Sequence, residues 1–123
     1  MKALFNSQPF EIITDKDICK FIDFFDADIN VESWMFSETG SSICLMKSGK
    51  KMFLMYLPKE DCVGFISYSD LPCTGTLPFT LANGQIDEYP QQWCIDEEWA
   101  LKGLTYFYYN DGEQSHYINW RRP

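Results

Sequence analysis

The stretch SICLMKSGKKMFLMYL, residues 42–57, sets the reading of this chain. Two apolar runs, SICLMK (42–47) and KMFLMYL (51–57), flank Ser48-Gly49. Both runs have strand length, and a glycine turn between them reads as a tight hairpin. Working outward, SWMFSE (33–38), which ends at Thr39-Gly40, and CVGFISYS (62–69) extend a strand-rich middle. DLPCTGTLP (70–78), with two prolines and a glycine, reads as a loop. FTLA (79–82), an Asn83-Gly84 turn and QIDEYP (85–90) then read as a second, more exposed hairpin. In the middle segment Trp34, Phe53, Tyr56, Phe65 and Tyr68 alternate as core and sheet-surface residues do.

A helix lies on each side of this middle. Before it, FEIIT (10–14) is a short strand candidate, followed by TDKDICKFIDFF (14–25). Thr14 and Asp17 have the spacing of a capping box, and Ile18, Phe21, Ile22 and Phe25 recur as one apolar helical stripe. After it, Asp96 is placed as an N-cap, with Glu97 and Glu98 where the helix dipole favours anions. Ile95 and Ala100 stand in staple positions, and Ala100, Leu104, Phe107 and Tyr108 continue the apolar face up to Asn110-Asp111-Gly112. HYINW (116–120) alternates as a closing strand, with His116, Ile118 and Trp120 on one face and Tyr117 and Asn119 on the other. The element order predicts an α+β fold: a mostly antiparallel sheet of about six to eight strands with two helices packed on it. The 123 residues suit one domain, 1–123, large enough to fold without metals or disulfides.

Few chemistries fit this residue set. His116 is the only histidine, so any Ser-His-Asp or Cys-His site would have to use it, and its alignment with Ile118 and Trp120 favours a partly buried structural role. The cysteines at 19, 44, 62, 73 and 94 form no C-x-x-C pair and read as reduced thiols, most of them packed as small hydrophobes. One histidine and scattered cysteines match no zinc spacing, and Asp87-Glu88 and Glu97-Glu98 lack a calcium-loop pattern, so no metal and no cofactor is expected. GSS, SGKK and TGT match neither a Walker A loop nor a dinucleotide fingerprint. A hydrolase built on two carboxylates stays open, because any two acids can meet in space. No apolar run has the length of a membrane span, and the N-terminal MKALFNSQPFEII lacks the continuous apolar core of a signal peptide, so a cytoplasmic protein is expected.

Charge is the most informative composition feature. The formal net charge is −8. Residues 1–59 carry eight acids and seven lysines; residues 99–123 carry two acids and three bases. The excess therefore lies between Glu60 and Glu98, where Glu60, Asp61, Asp70, Asp87, Glu88, Asp96, Glu97 and Glu98 occur with no Lys or Arg. Such a segment repels phosphates and speeds encounter with a basic partner. The pair Arg121-Arg122 is two charges at a frayed end, too few for a nucleic-acid tail.

From the turn ETGSS (38–42), the order ICLMK, KMFLMYL, VGFISYS, ANGQIDEYP, the helix DEEWALKGLTYFYYNDG and the closing YINW resembles the first-described immunity-protein family of bacterial polymorphic toxin systems. Gly84, the helix from Asp96, the Asp111-Gly112 turn and Trp120 stand at that family's landmarks, whereas GEQSH replaces its customary proline before the closing strand. The resemblance implies a small cytoplasmic antitoxin, not an enzyme, that binds the C-terminal domain of its cognate toxin and blocks the active site. Family members pair with secreted toxins that include nucleic-acid deaminases. An acidic inhibitor suits the basic substrate channel of such a toxin. On charge and loop position, the expected toxin-binding residues are Glu60, Asp61, Asp70, Asp87, Glu88, Glu97 and Glu98, with Tyr68 and Tyr89 as aromatic anchors. The second reading is a generic acidic interaction module for another basic protein, and the third is a small hydrolase.

Overall fold

In the computed structural model, which describes residues 1–123, the 42–57 hairpin forms the middle of the main sheet. The strands are β1 (Lys2–Phe5), β2 (Gln8–Glu11), β3 (Asn30–Phe36), β4 (Ser42–Ser48), β5 (Lys51–Leu57), β6 (Phe65–Ser67), β7 (Thr76–Thr80), β8 (Ile86–Pro90) and β9 (Trp120–Arg121). The helices are α1 (Asp15–Ala27) and α2 (Glu97–Tyr109). Seven strands form one sheet in the order β2-β1-β3-β4-β5-β6-β9, and β7 pairs with β8 apart from it. Every pairing is antiparallel. The fold is α+β, as expected.

β4 and β5 pair without a break from Ser42↔Leu57 to Ser48↔Lys51. The two free turn residues are therefore Gly49-Lys50, one position later than the sequence reading placed them, and Gly49 takes a φ of +59° that glycine adopts without a Cβ penalty. Strand alternation then sorts the side chains into two layers. Ile43, Leu45, Met52, Leu54 and Tyr56 face α1 and α2, together with Phe5, Val31 and Met35. Cys44, Met46 and Phe53 face the other way, under Phe79 of the β7–β8 hairpin. Covered on both sides, β4 has no solvent face to mark with polar residues, hence its continuous apolar run.

α1 begins at the expected capping box. Asp17 N–H donates to Thr14 Oγ1 (3.3 Å), while Thr14 N–H and Ile13 N–H donate to Asp17 Oδ2 (3.0 and 2.9 Å). Its stripe packs Phe21 and Phe25 edge-on against Phe5, at 5.9 and 5.2 Å between ring centres. The last turn of α1 has no basic residue of its own. Buried Lys47 of β4 serves that end instead, its Nζ donating to the Phe25 carbonyl. A cation there satisfies an orphan carbonyl at the negative end of the helix dipole.

α2 crosses β5 closely at Gly103, where a Cβ would come within 2.6 Å of Leu54 Cδ1 and 2.7 Å of Ile118 Cδ1. Beyond its C-terminus, the Gly112 carbonyl accepts from Ser41 Oγ (2.7 Å) and Tyr56 Oη (2.8 Å). These bonds tie the end of the helix to the β3–β4 turn and to β5.

Several expectations are corrected, among them the loop read over 70–78, since β7 begins at Thr76. An N-terminal hairpin, β1–β2, precedes the first helix; its two-residue turn is Asn6-Ser7, both at positive φ, and Asn6 bonds across to Asn30 and Glu32. The FEIIT candidate contributes only Phe10 and Glu11 to β2. CVGFISYS contains three strand residues, because a turn at Glu60-Asp61 and an unpaired stretch through Gly64 precede β6, which begins only at Phe65. HYINW is not an alternating strand: residues 116–118 form a turn and a bend, and only Trp120 and Arg121 pair, with Ser67 and Ile66. His116 is accordingly exposed, its ring 4.2 Å from that of Tyr117 and 5.7 Å from that of Tyr106.

Candidate protein-binding surface

The acidic segment divides among three places: the β8 hairpin, a cleft beside α2 and the β5–β6 turn. β8 carries Asp87, Glu88 and Tyr89 on the small hairpin. Pro78 stands opposite Glu88 in β7, where a proline has no N–H to offer a ladder. The hairpin is held down by its aromatic underside: the Tyr89 ring lies 5.1 Å from Phe53, 5.8 Å from Phe79 and 5.6 Å from Trp93. Tyr89 is thus engaged in packing, and its hydroxyl donates to Asp87 Oδ2 (3.3 Å). Burial, reinforced by the Asp87 charge, raises its pKa above the usual tyrosine value. Gln85 Nε2 also donates to Asp87, and Thr76 Oγ1 donates to Glu88 (both 2.7 Å). At the hairpin's loop, Glu32 of β3 accepts from Ala82 N–H (3.0 Å) and from Trp34 Nε1–H (2.9 Å), joining the ribbon to the main sheet.

The second place is a cleft of about 380 Å³ where the segment after β6, the start of α2 and the 117–119 turn meet. Tyr68, Asp70, Leu71, Ile95, Asp96, Trp99, Tyr117 and Asn119 line it. Each wall has a local cause. The Tyr68 N–H donates to the Asn119 carbonyl (3.0 Å), and Asn119 Nδ2 donates to Asp70 Oδ1 (2.5 Å), so the last turn holds the Asp70 loop in place. From the other side, Gln92 Nε2 donates to the Ser69 and Leu71 carbonyls (2.5 and 2.9 Å). Asp96 occupies the expected N-cap position, yet its side chain caps nothing. Trp99 and Tyr117 keep 43% and 63% of their surface in water, large values for aromatic side chains.

Among the residues singled out from the sequence, Tyr68 and Asp70 therefore fall in the cleft, with Glu97 and Glu98 on the adjoining first turn of α2. Glu60 and Asp61 lie on the exposed β5–β6 turn, where Asp61 takes a φ of +66°. Sequence reasoning did not bring Trp99, Tyr117 and Asn119 to this site. Its one available signal was an aromatic at the third position of α2, on the side away from the Ala100–Leu104–Phe107 stripe. A second cleft, of about 650 Å³, opens at the other end of α2 beside Asp15, Glu38, Asp111, Tyr108 and Tyr109.

The acids are electrostatically uncompensated. Of the eight between residues 60 and 98, only Glu98 has a cationic partner within 4.0 Å, Lys102 at 3.0 Å on the helix surface. That exposed pair contributes little to stability. The terminal arginines do not neutralise the others; they are stacked on rings, Arg121 over Tyr68 and Arg122 over Phe65, at 3.4 and 4.8 Å from the ring centres. The C-terminal pair is therefore docked on the sheet edge and not frayed. No helix is long and apolar enough to cross a membrane, and no group of three His, Cys, Asp or Glu side chains is arranged to hold a metal ion. No protein-family model matches the chain, and no curated protein sequence matches it either.

Proposed function

We propose that the protein is an immunity-type inhibitor. It binds a basic toxin domain that acts on nucleic acid and covers that domain's active site, working in the bacterial cytoplasm. One observation carries the reading: seven acids of the 60–98 segment stand without a cationic partner. Uncompensated surface charge of one sign opposes compactness through self-repulsion and accelerates association with a partner of opposite sign. Exposed Trp99 and Tyr117 beside those acids supply residue types that dominate binding energy at interfaces. The ordered resemblance of the strands, α2 and Trp120 to the immunity-protein family points the same way.

The test is co-expression with the toxin domain encoded by the adjacent gene. Rescue of growth together with co-purification of a stoichiometric complex is the expected result. A lethal neighbouring domain that is neither neutralised nor bound would sink the immunity reading. Binding without rescue would instead favour the generic interaction module.

A further inference from the structure

The Tyr68–Trp99–Tyr117 cleft has features that specify its occupant more narrowly than negative charge alone. Its volume, about 380 Å³, lies near the lower end for ligand-sized sites. Its walls combine aromatic and aliphatic side chains with Ser69 and Asn119, its charged groups are the Asp70 and Asp96 carboxylates, and no Lys or Arg lines it. The Asp96 carboxylate is free because it caps no helix N–H. Asp70 is fixed through Oδ1 by Asn119, which leaves Oδ2 for another donor.

The geometry points to this cleft as the receptor for one arginine side chain of the basic partner, its guanidinium set against the Trp99 and Tyr117 rings and bonded to Asp70 and Asp96. A guanidinium is planar and weakly hydrated, so it stacks on rings while its N–H fork meets carboxylates. A lysine ammonium is a compact, strongly hydrated charge that uses ring faces less well. An anion is repelled by both carboxylates. The chain makes the same contact internally at the cleft's edge, where Arg121 covers one face of Tyr68 at 3.4 Å from the ring centre. That leaves Trp99 and Tyr117 as the exposed rings for an incoming side chain, the Tyr117 ring having His116 4.2 Å away. Lys102 reaches Trp99 from the helix surface, 4.9 Å from the ring centre, and is already paired with Glu98.

This inference rests on the reading of the protein as a binder of a basic partner, but its test needs no toxin. The ¹⁵N-labelled protein is titrated with the blocked tripeptide acetyl-Gly-Arg-Gly-amide and with its citrulline counterpart, which has nearly the same shape and no charge. The Trp99 indole resonance is assigned from Trp99→Phe, and the Asn119 side-chain amide from Asn119→Asp. Saturable shifts of both are expected with the arginine peptide. The citrulline peptide should bind about tenfold more weakly or worse, and the D70N/D96N double variant should lose the difference. Equal response to citrulline, no response at either resonance, or shifts confined to the Tyr108–Asp111 end of α2 would each overturn the assignment. Failure here leaves the immunity reading standing, whereas failure of rescue in co-expression leaves the cleft's ligand chemistry standing.

Discussion

The Arg121 guanidinium lies 3.4 Å from the centre of the Tyr68 ring, and the Tyr68 amide bonds to the carbonyl of Asn119. Together these contacts fasten a two-residue strand to a three-residue one. Pairing this short provides little cooperative stability, so the side-chain stack has an outsized part in keeping the edge of the sheet closed.

Arg121→Ala should therefore lower stability in urea by about 1 kcal/mol, and Arg122→Ala by less, since its guanidinium sits farther from Phe65. Amide hydrogen exchange at Tyr68 should quicken in the first variant. Unchanged stability and exchange in Arg121→Ala would show that β9 is held by its backbone alone.

Gly112 offers a sharper test of packing. It has a φ of +89°, and a Cβ there would fall 2.4 Å from both Ser37 Cβ and Ser41 Oγ. Gly84 has the same φ with nothing within 4 Å. Gly84→Ala should cost only the backbone strain, about 1 kcal/mol. Gly112→Ala should add the cost of displacing the β3–β4 turn and destabilise by about 2–4 kcal/mol in total. Equal losses in the two variants would mean the turn yields freely.

The capping box predicts an acid-sensitive contribution to stability. Backbone N–H groups of Ile13 and then Thr14 bond to the Asp17 carboxylate and lower its pKa below the ordinary 3.8. A carboxylate depressed in the folded state stabilises above its unfolded value, and the contribution is lost as the pH falls through the folded value. Urea unfolding followed from pH 6 down past that ordinary 3.8 should show wild-type stability falling more steeply than that of Asp17→Ala. Parallel curves would exclude this contribution.

At the interface, charge and rings should separate kinetically. Reversal of Asp70, Asp87 and Glu88 to lysine should slow association with the toxin domain by about tenfold or more at low salt and reduce its salt dependence. Trp99→Ala should leave association nearly unchanged and speed dissociation, at a cost of about 2 kcal/mol or more in affinity. Surface plasmon resonance at two ionic strengths separates these effects. Identical rate changes for the two variants would contradict a steering role for the acids.

Much of the fold was legible because its signals are local. The capping box of α1, its Phe21–Phe25 stripe, the hairpin at Gly49 and the turn at Gly84 depend on neighbours within a few residues; the helix features formed where their pattern stood, and both hairpins formed with shifted bounds, the first turning at Gly49-Lys50 and the second beginning at Thr76. The β1–β2 hairpin escaped notice because its Asn6-Ser7 turn lacks the glycine that usually marks positive φ. HYINW misled for the opposite reason. Its alternation arises from a turn in which Ile118 reaches Gly103, and Trp120 Nε1–H bonds back to the Ser115 carbonyl (2.7 Å).

The sequence by itself determined the class of the fold and the location of the unbalanced charge, since composition and short-range periodicity carry both. Which acids face a cleft and which support a hairpin was decided only by tertiary structure. Asp70 and Asp96 are 26 positions apart and line one site because the 117–119 turn and the start of α2 close on the same loop. Trp99 and Tyr117 join them there, although neither lies in the run where the positive charges vanish. Charge is additive along a chain, but a cleft is made by long-range packing, here the pairing of β9 at the sheet's edge and the packing of α2 across β4 and β5.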